Sequence, residues 1–299
     1  MSIPSFRQSM LLSAGVCALA LLASGSMVAQ TNCHEANLYD RLPKQSLTSS
    51  SAASSNSVQF ASGEESAYKV FSKLKPQDTD KRIQTGSAFI RKYPSSSFAE
   101  AVYSQLSLAE YQKQDFAEME RYADKALALN PNNVIVLVLT GWVIPHSSDI
   151  SPARLDKAEG YEKHALDLLP TLPKPAGMTD QQMADAKAQY ESQAHSGLGL
   201  VYYRRNNFAG AVSELRAATS GASSPDPTDY SVLGSSLASL NLFSDAAKAF
   251  KVCAGIAGPE QARCKQEGEL AKKEAALEPH SSQAVATVQA SGQSASASQ

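Results

Sequence analysis

Apolar side chains recur along part of the chain with a period of 35 residues, the distance from Leu198 to Leu233. Each period holds two segments with apolar residues at helical spacing, separated by a short polar turn. The matched positions are Leu198, Gly199, Tyr202, Phe208, Ala211, Leu215 and Ala218 in one copy and Leu233, Gly234, Leu237, Phe243, Ala246, Phe250 and Cys253 in the next. A repeat of this length predicts helix–turn–helix pairs that bury their apolar faces by stacking.

The series resembles the tetratricopeptide repeat (TPR), in which a large residue, Leu-Gly, an aromatic residue and further large and small residues stand at fixed positions. His195 and Tyr230 fill the first place in the two copies. The resemblance implies an all-α, right-handed α-solenoid of TPR-like helix–turn–helix repeats with a C-terminal capping helix. It covers most of residues 62–278, strongly over these two units and weakly at the start.

Degenerate units precede the two clear copies. Segments 64–75 and 78–93 form a predicted helical pair, and residues 97–131 match the repeat with substitutions. Within that unit, Ser97 and Glu100 have the spacing of a capping box. The segment 89–100 is similar to repeat starts in exported bacterial TPR proteins of the cell envelope, and this likeness implies the same setting here.

Two insertions interrupt the next unit. The apolar run 134–144 predicts a first helix that is buried on all sides, but its partner helix is delayed by an insertion at about 145–151. A second insertion follows at about 171–190, where Thr179 and Gln182 form a capping box and open a helix that extends to Arg205. Residues 260–277 predict the capping helix, with Ala262, Leu270, Ala271 and Ala275 directed inward.

Both ends of the chain differ from this repeat region. Residues 1–30 have the pattern of a cleaved secretory signal peptide, whose 14-residue apolar segment at 10–23 is too short to span a bilayer. Residues 31–61 predict a disordered Ser-rich tether, and residues 279–299 a disordered tail. We expect an exported protein, periplasmic or extracellular. Neither Cys17 nor Cys33 has the setting of a lipoprotein cysteine, so we disfavour an anchor.

Composition excludes several classes of function. The net charge is −2 with 19% charged residues and no basic run, which argues against nucleic-acid binding. We find no cofactor motif, and His146, His164 and His195 lack the spacing of metal ligands. In an exported protein, Cys253 and Cys264 are a candidate disulfide across a short turn. The alternative is a buried free Cys253.

The resemblance therefore implies a non-catalytic scaffold that binds a protein or peptide partner in the cell envelope. In TPR arrays the first helices of successive pairs line a concave groove. The residues that would form it here are Leu108, Tyr111, Gln112, Trp142, Leu200, Tyr203 and Arg204. Aromatic and Arg side chains dominate binding energy at such surfaces. The alternative for Trp142 is packing against the inserted loop.

Two other functions stay open. One is a structural subunit of an envelope or secretion assembly that uses its convex face and insertions, and the other is an enzyme with an unrecognised site. Exposed apolar residues on the insertions would favour the subunit, whereas clustered buried ionisable groups there would favour the enzyme.

Overall fold

The computed structural model describes residues 63–148, 150–220 and 226–277, which contain eleven α-helices and no strand. The predicted signal peptide, the tether and the tail all lie outside these residues. Two 3-10 turns, Ile144–His146 and Leu169–Thr171, extend two of the helices. The helices are α1 Glu64–Ser72, α2 Thr79–Lys92, α3 Ala99–Gln112, α4 Phe116–Leu129, α5 Val134–Val143, α6 Pro152–Leu168, α7 Asp180–Arg204, α8 Phe208–Thr219, α9 Pro227–Ser239, α10 Phe243–Gly255 and α11 Gln261–Leu277.

The helices stack in chain order. Each packs mainly against the helix before and after it, which is the contact pattern of a solenoid. The first helices of successive pairs also touch one another, α5 with α7, α7 with α9 and α9 with α11, whereas the second helices make at most marginal contact across pairs. The first helices therefore form the inner, concave side. The predicted all-α solenoid of TPR-like pairs is confirmed.

A glycine on each of the first helices α5, α7 and α9 allows the second helix of the same pair to approach closely. A Cβ atom added at Gly199 would lie 2.5 Å from Cγ of Leu215, and one at Gly234 would lie 2.7 Å from the ring of Phe250. Both distances are well inside van der Waals contact. Gly141 has the same relation to Glu162, at 2.6 Å from the carboxyl carbon. The repeated glycine thus marks a helix–helix contact.

The turn inside a pair is built the same way in three units. Gln114, Asn206 and Asn241 each stand seven residues after the glycine position, and their φ angles of 62°, 59° and 60° are left-handed. Asn tolerates this conformation better than most residues. The residue after each closes the turn through its backbone N–H: Asp115 to Glu110 O, Asn207 to Tyr202 O and Leu242 to Leu237 O, at 3.0, 2.9 and 2.9 Å.

Both insertions are packed against the solenoid. The capping box of Thr179 and Gln182 is confirmed, and α7 runs for 25 residues. The extra turns at its start bury Met183, Ala186 and Tyr190, the last two in the same apolar cluster as parts of α6 and its 3-10 turn. The long helix is therefore held along its length, because its added turns carry an apolar face of their own.

The predicted capping box of Ser97 and Glu100 is wrong. Ser97 does not cap α3, which has Phe98 at its N-cap position and no side-chain cap. Instead the backbone N–H of Phe98 donates to Oγ of Ser96 at 3.0 Å. Glu100 accepts hydrogen bonds from Ser104 and Asn133, so its carboxylate is directed across the concave side and away from the backbone of the helix start.

The capping helix α11 faces the solenoid with a stripe that matches the prediction only in part, since Ala271 is buried as expected whereas Ala262 and Leu270 are exposed. A disulfide joins Cys253 to Cys264 with a Cα–Cα distance of 5.9 Å, and both cysteines are buried. Gly268 and Ala271 follow at helical spacing and are buried with Cys264, while Leu270 is 47% exposed. The disulfide directs Cys264 inward, so the residues one and two turns later share its face.

Candidate functional site: the concave face

Side chains of four first helices touch in an unbroken line across the concave face. The ring of Tyr111 on α3 meets Trp142 on α5 edge to face, with centroids 6.4 Å apart. Nε1 of Trp142 donates to Oγ of Ser196 on α7 at 3.2 Å. Oγ of Ser196 in turn donates to Oδ1 of Asp229 on α9 at 2.6 Å. These contacts fix Trp142 in one orientation at the centre of the face.

An aromatic patch lies on the N-terminal half of this face. We use this name for Leu108, Tyr111, Phe116 and Trp142, which are partly buried and pack against Met119, Leu139 and Val143. The rings of Tyr111 and Phe116 are 6.4 Å apart. The patch keeps part of its apolar surface in contact with solvent, where amphipathic rings can serve as anchors for a partner.

His146 also contacts Trp142, with ring centroids 4.3 Å apart. Its Nδ1 lies 2.7 Å from the carbonyl oxygen of Trp142, and because a carbonyl only accepts, Nδ1 carries the hydrogen. Burial lowers the pKa of His146, while the carbonyl bond and the charge of Asp226 partly oppose this shift. The neutral imidazole is therefore favoured, and the 3-10 turn of the first insertion holds it against the indole with the two ring planes tilted by 46°.

Asp229 ends the line of contacts in a buried position. Burial raises the pKa of its carboxyl well above the ordinary value, and the neighbouring charge of Asp226 acts in the same direction. The hydrogen bond from Ser196 opposes these effects because it favours the ionised form. The environment of Asp229 thus favours its protonated form, and its oxygen ties α7 to the start of α9.

The same serine position makes an equivalent bond in each unit that has a serine there. Ser104, Ser196 and Ser231 occupy this position on α3, α7 and α9. Each bonds to a residue at or near the start of the next first helix: Nδ2 of Asn133 donates to Ser104 at 3.0 Å, Ser196 donates to Asp229, and Ser231 donates to Glu260 at 3.2 Å. The recurring serine was the sequence signal for this bonding, and we did not predict it.

The predicted groove residues occupy different positions in the structure. Leu108, Tyr111 and Trp142 come together in the aromatic patch. Gln112 is exposed and accepts a hydrogen bond from Thr79 at 3.0 Å. Tyr203 is half-buried and meets Phe208 edge to face at 5.9 Å. These residues all lie on or beside the concave face.

Two predicted groove residues serve the fold. Leu200 is 2% exposed and packs in the C-terminal apolar cluster, so the expectation that it faces a ligand is wrong. Its neighbours on α8 and α9 close over it. The guanidinium of Arg204 donates to the carbonyl oxygens of Pro145 and Ser147, at 3.0 and 3.5 Å, and so holds the first insertion against α7. Trp142 does touch the inserted turn through His146, as the alternative for it anticipated.

The described residues hold neither a metal-ligand cluster nor a membrane-spanning helix. Over residues 63–148, 150–220 and 226–277, no group of three or more His, Cys, Asp or Glu side chains is arranged to hold a metal ion. Over the same ranges, no helix has both the length and the apolar character needed to cross a membrane.

No protein-family model and no curated protein matches the chain. Among solved structures, it is similar to a thermophilic TPR protein from Thermus thermophilus, with 14% identity, a TM-score of 0.37, and coverage of 70% of this chain and 98% of the other. It is also similar to a tetratricopeptide repeat protein from Parabacteroides merdae, with 12% identity, a TM-score of 0.34, and coverage of 71% and 100%.

Proposed function

We propose that this protein is an exported, non-catalytic scaffold that binds a protein partner, or an extended segment of one, along its concave face. The observation that carries the proposal is the line of contacts from Tyr111 through Trp142 and Ser196 to Asp229. It joins four first helices into one surface with fixed side chains. A surface ordered before binding loses little conformational entropy on association.

The chemistry of the face favours a partner segment with apolar side chains. The aromatic patch exposes ring surface on the concave face, and serine and amide side chains surround the patch. Two cations of the solenoid are already engaged, Arg204 with two carbonyl oxygens and Arg263 with Glu260 at 2.5 Å. Recognition through apolar anchors and main-chain hydrogen bonds therefore suits this face better than the capture of a carboxylate.

The arrangement at Ser196 supports a non-catalytic role. A serine nucleophile needs a base that accepts its proton. Here the carboxyl that accepts from Ser196 is that of Asp229, whose environment favours the protonated form, which is not a base, and Nδ1 of His146 is turned to the carbonyl oxygen of Trp142. His146 and Asp229 thus bond in ways that stabilise the face.

Export rests on the N-terminal sequence pattern and is supported by the disulfide. Disulfides form and persist in oxidising compartments such as the periplasm and the cell surface. We place the partner in the cell envelope for the same reason. Fractionation of cells that express the full chain, with and without residues 1–30, tests this part: the complete chain is expected in the exported fraction and the truncated chain in the cytoplasm.

A crosslinking pull-down from envelope fractions tests the binding face. We would compare the wild type with a Tyr111→Ala, Tyr203→Ala double variant, and use Val252→Ala on α10 as a control, since Val252 is 43% exposed on a second helix. The proposal expects one specific partner that the double variant loses and the control keeps, with equal helicity by circular dichroism. Retention by the double variant would refute concave-face binding.

The alternative function is that of a structural subunit. The positions of the exposed apolar side chains change which surface such a subunit would use for assembly. Among the described residues, none of the large exposed apolar side chains lies in either insertion. Several lie in the last pair and its cap: Leu240, Leu242, Val252, Leu270 and Leu277. A partner lost on Val252→Ala, Leu270→Ala substitution would favour assembly through the C-terminal end.

A further inference from the structure

A carboxyl group is enclosed between the helices behind the concave face. Glu162 on α6 stands where the next two units have Leu215 and Phe250, as its packing against Gly141 shows. The residue is 0% exposed. Neither of its carboxyl oxygens has a hydrogen-bond partner. A polar group in this state normally has a partner, so its presence at an apolar repeat position calls for an explanation.

Glu162 touches both of the helices that carry the centre of the face. A Cβ atom at Gly141 on α5 or at Gly197 on α7 would lie 2.6 or 2.9 Å from its carboxyl carbon. Gly141 directly precedes Trp142, and Gly197 directly follows Ser196. The carboxyl group is thus wedged into the α5–α7 junction, immediately behind the hydrogen bond that links Trp142 to Ser196.

The other charged and titratable groups around the junction have partners of their own, and one of them, Asp229 on α9, accepts the hydrogen bond of Ser196. On α6, Glu159 pairs with Lys163 and with Arg205. On α7, His195 bonds to Glu214 of α8 and Tyr202 to Glu159, and in the 3-10 turn His146 bonds to the Trp142 carbonyl. Helix α5 carries no ionisable side chain. Burial alone raises the pKa of Glu162 well above its ordinary value.

We propose that Glu162 makes the α5–α7 junction a pH-sensitive joint, closed while the carboxyl is protonated and opened when it ionises. A carboxylate cannot stay in this dry, unpartnered site. Ionisation therefore requires water to enter between α5 and α7, which separates Gly141 from Gly197. The Trp142–Ser196 hydrogen bond spans the same gap and breaks with it. Opening therefore disorders the concave face at its centre. The consequence for partner binding rests on the proposed function.

The direction of the effect follows from proton linkage. The folded state keeps the Glu162 proton to a higher pH than the unfolded chain, whose pKa is near 4.5. Stability from this group is therefore greatest below about pH 4.5 and falls as the pH rises toward the folded-state pKa. The folding equilibrium constant falls up to about tenfold per pH unit in that window.

Two substitutions isolate this group in the full chain. Glu162→Gln keeps the shape and removes the ionisation, and Glu162→Leu restores the residue type of Leu215. Trp142 is the only tryptophan of the chain, so its emission reports directly on the junction. Hydrogen exchange of peptides covering residues 134–143 and 190–204 gives a second, independent readout between pH 5 and 9.

As the pH rises, the wild type is expected to show a red-shifted Trp142 emission and faster hydrogen exchange in both helices. The increase in exchange rate should exceed the intrinsic pH dependence of exchange, which is calibrated with unfolded peptides. Both variants are expected to lose this excess. His146→Gln serves as the control, because His146 also touches Trp142; it should keep the exchange response. An excess that persists unchanged in Glu162→Leu, or is missing from the wild type, would overturn the inference. These readouts need no partner, so their failure is distinct from failure of the pull-down.

Discussion

Substituting the repeat glycine tests how the helix pairs are held together. Gly199→Ala adds a Cβ atom 2.5 Å from Cγ and 2.8 Å from Cδ2 of Leu215. Leu215 is 0% exposed, so it has no open space into which to move. Gly160 on α6 provides a matched control, since a Cβ there meets nothing within 4 Å. Both substitutions place Ala in a helix, and only one of them overfills a contact.

The magnitudes separate the two variants clearly. Ala is favoured over Gly inside a helix by about 1 kcal/mol. Overpacking a core costs about 1–3 kcal/mol, and the short distances at Gly199 place it near the upper end. Gly199→Ala should therefore lower the free energy of unfolding by about 2 kcal/mol net, and Gly160→Ala should raise it by about 1 kcal/mol. In a protein of this size these changes correspond to a Tm lower by about 4–8 °C and higher by about 2–4 °C.

Thermal and urea denaturation, followed by circular dichroism, measure both variants against the wild type. A second background sharpens the test, because Leu215→Ala removes the atoms that Gly199→Ala would strike. In that background the added methyl group should no longer destabilise. If Gly199→Ala is as stable as Gly160→Ala in the wild-type background, the close approach of α7 and α8 at this glycine is refuted.

Three further predictions concern single interactions. Replacing Cys253 and Cys264 by Ala should lower the free energy of unfolding by roughly 3 kcal/mol, measured in urea, and a reductant should then have no further effect. Arg204→Ala should speed hydrogen exchange of residues 144–148 at least tenfold while α7 keeps its protection, since the guanidinium holds that turn; equal rates would contradict this. The ion pairs of Glu159 hold its pKa at about 2. The stability that they contribute is therefore complete above about pH 4.5 and is lost as the pH falls toward 2. Glu159→Gln should remove this part of the decrease in the urea midpoint, measured between about pH 2 and 7.

The repeated contacts of the fold could be predicted from sequence because equivalent residues recur in more than one unit. The pairing of helices followed from apolar spacing, and the close glycine contact followed from Gly199 and Gly234 occurring in equivalent places. The closeness of Cys253 and Cys264 followed from one short turn. In each case the information is local, or is repeated at a fixed interval, so a single sequence is enough to see it.

Contacts between units were harder to predict. The bond from Ser196 to Asp229 joins residues 33 apart on different helices, and no local pattern sets that distance. Leu200 was assigned to the groove by its position in the repeat, but the following helices cover it. The inward face of α11 depends on the direction of Cys264, which the disulfide fixes. Such features depend on how far successive pairs rotate, and composition does not specify this rotation.

Glu162 is an intermediate case. Its place in the repeat is the one that Leu215 and Phe250 fill, so the sequence contained the signal of a polar residue at an apolar position. Only the structure shows that both carboxyl oxygens lack partners and that α5 and α7 enclose them. A departure from a repeat pattern at a buried position therefore merits the same attention as a motif.

Site-specific photocrosslinking in cells tests the central claim most directly. A photoreactive residue would replace Gln112 or Ser239, which are exposed on first helices, or Lys251, which is exposed on the second helix α10. Binding along the concave face predicts the same partner adduct from the first two positions and none from Lys251. Adducts from Lys251 alone would contradict it and place the partner on the outer side of the solenoid.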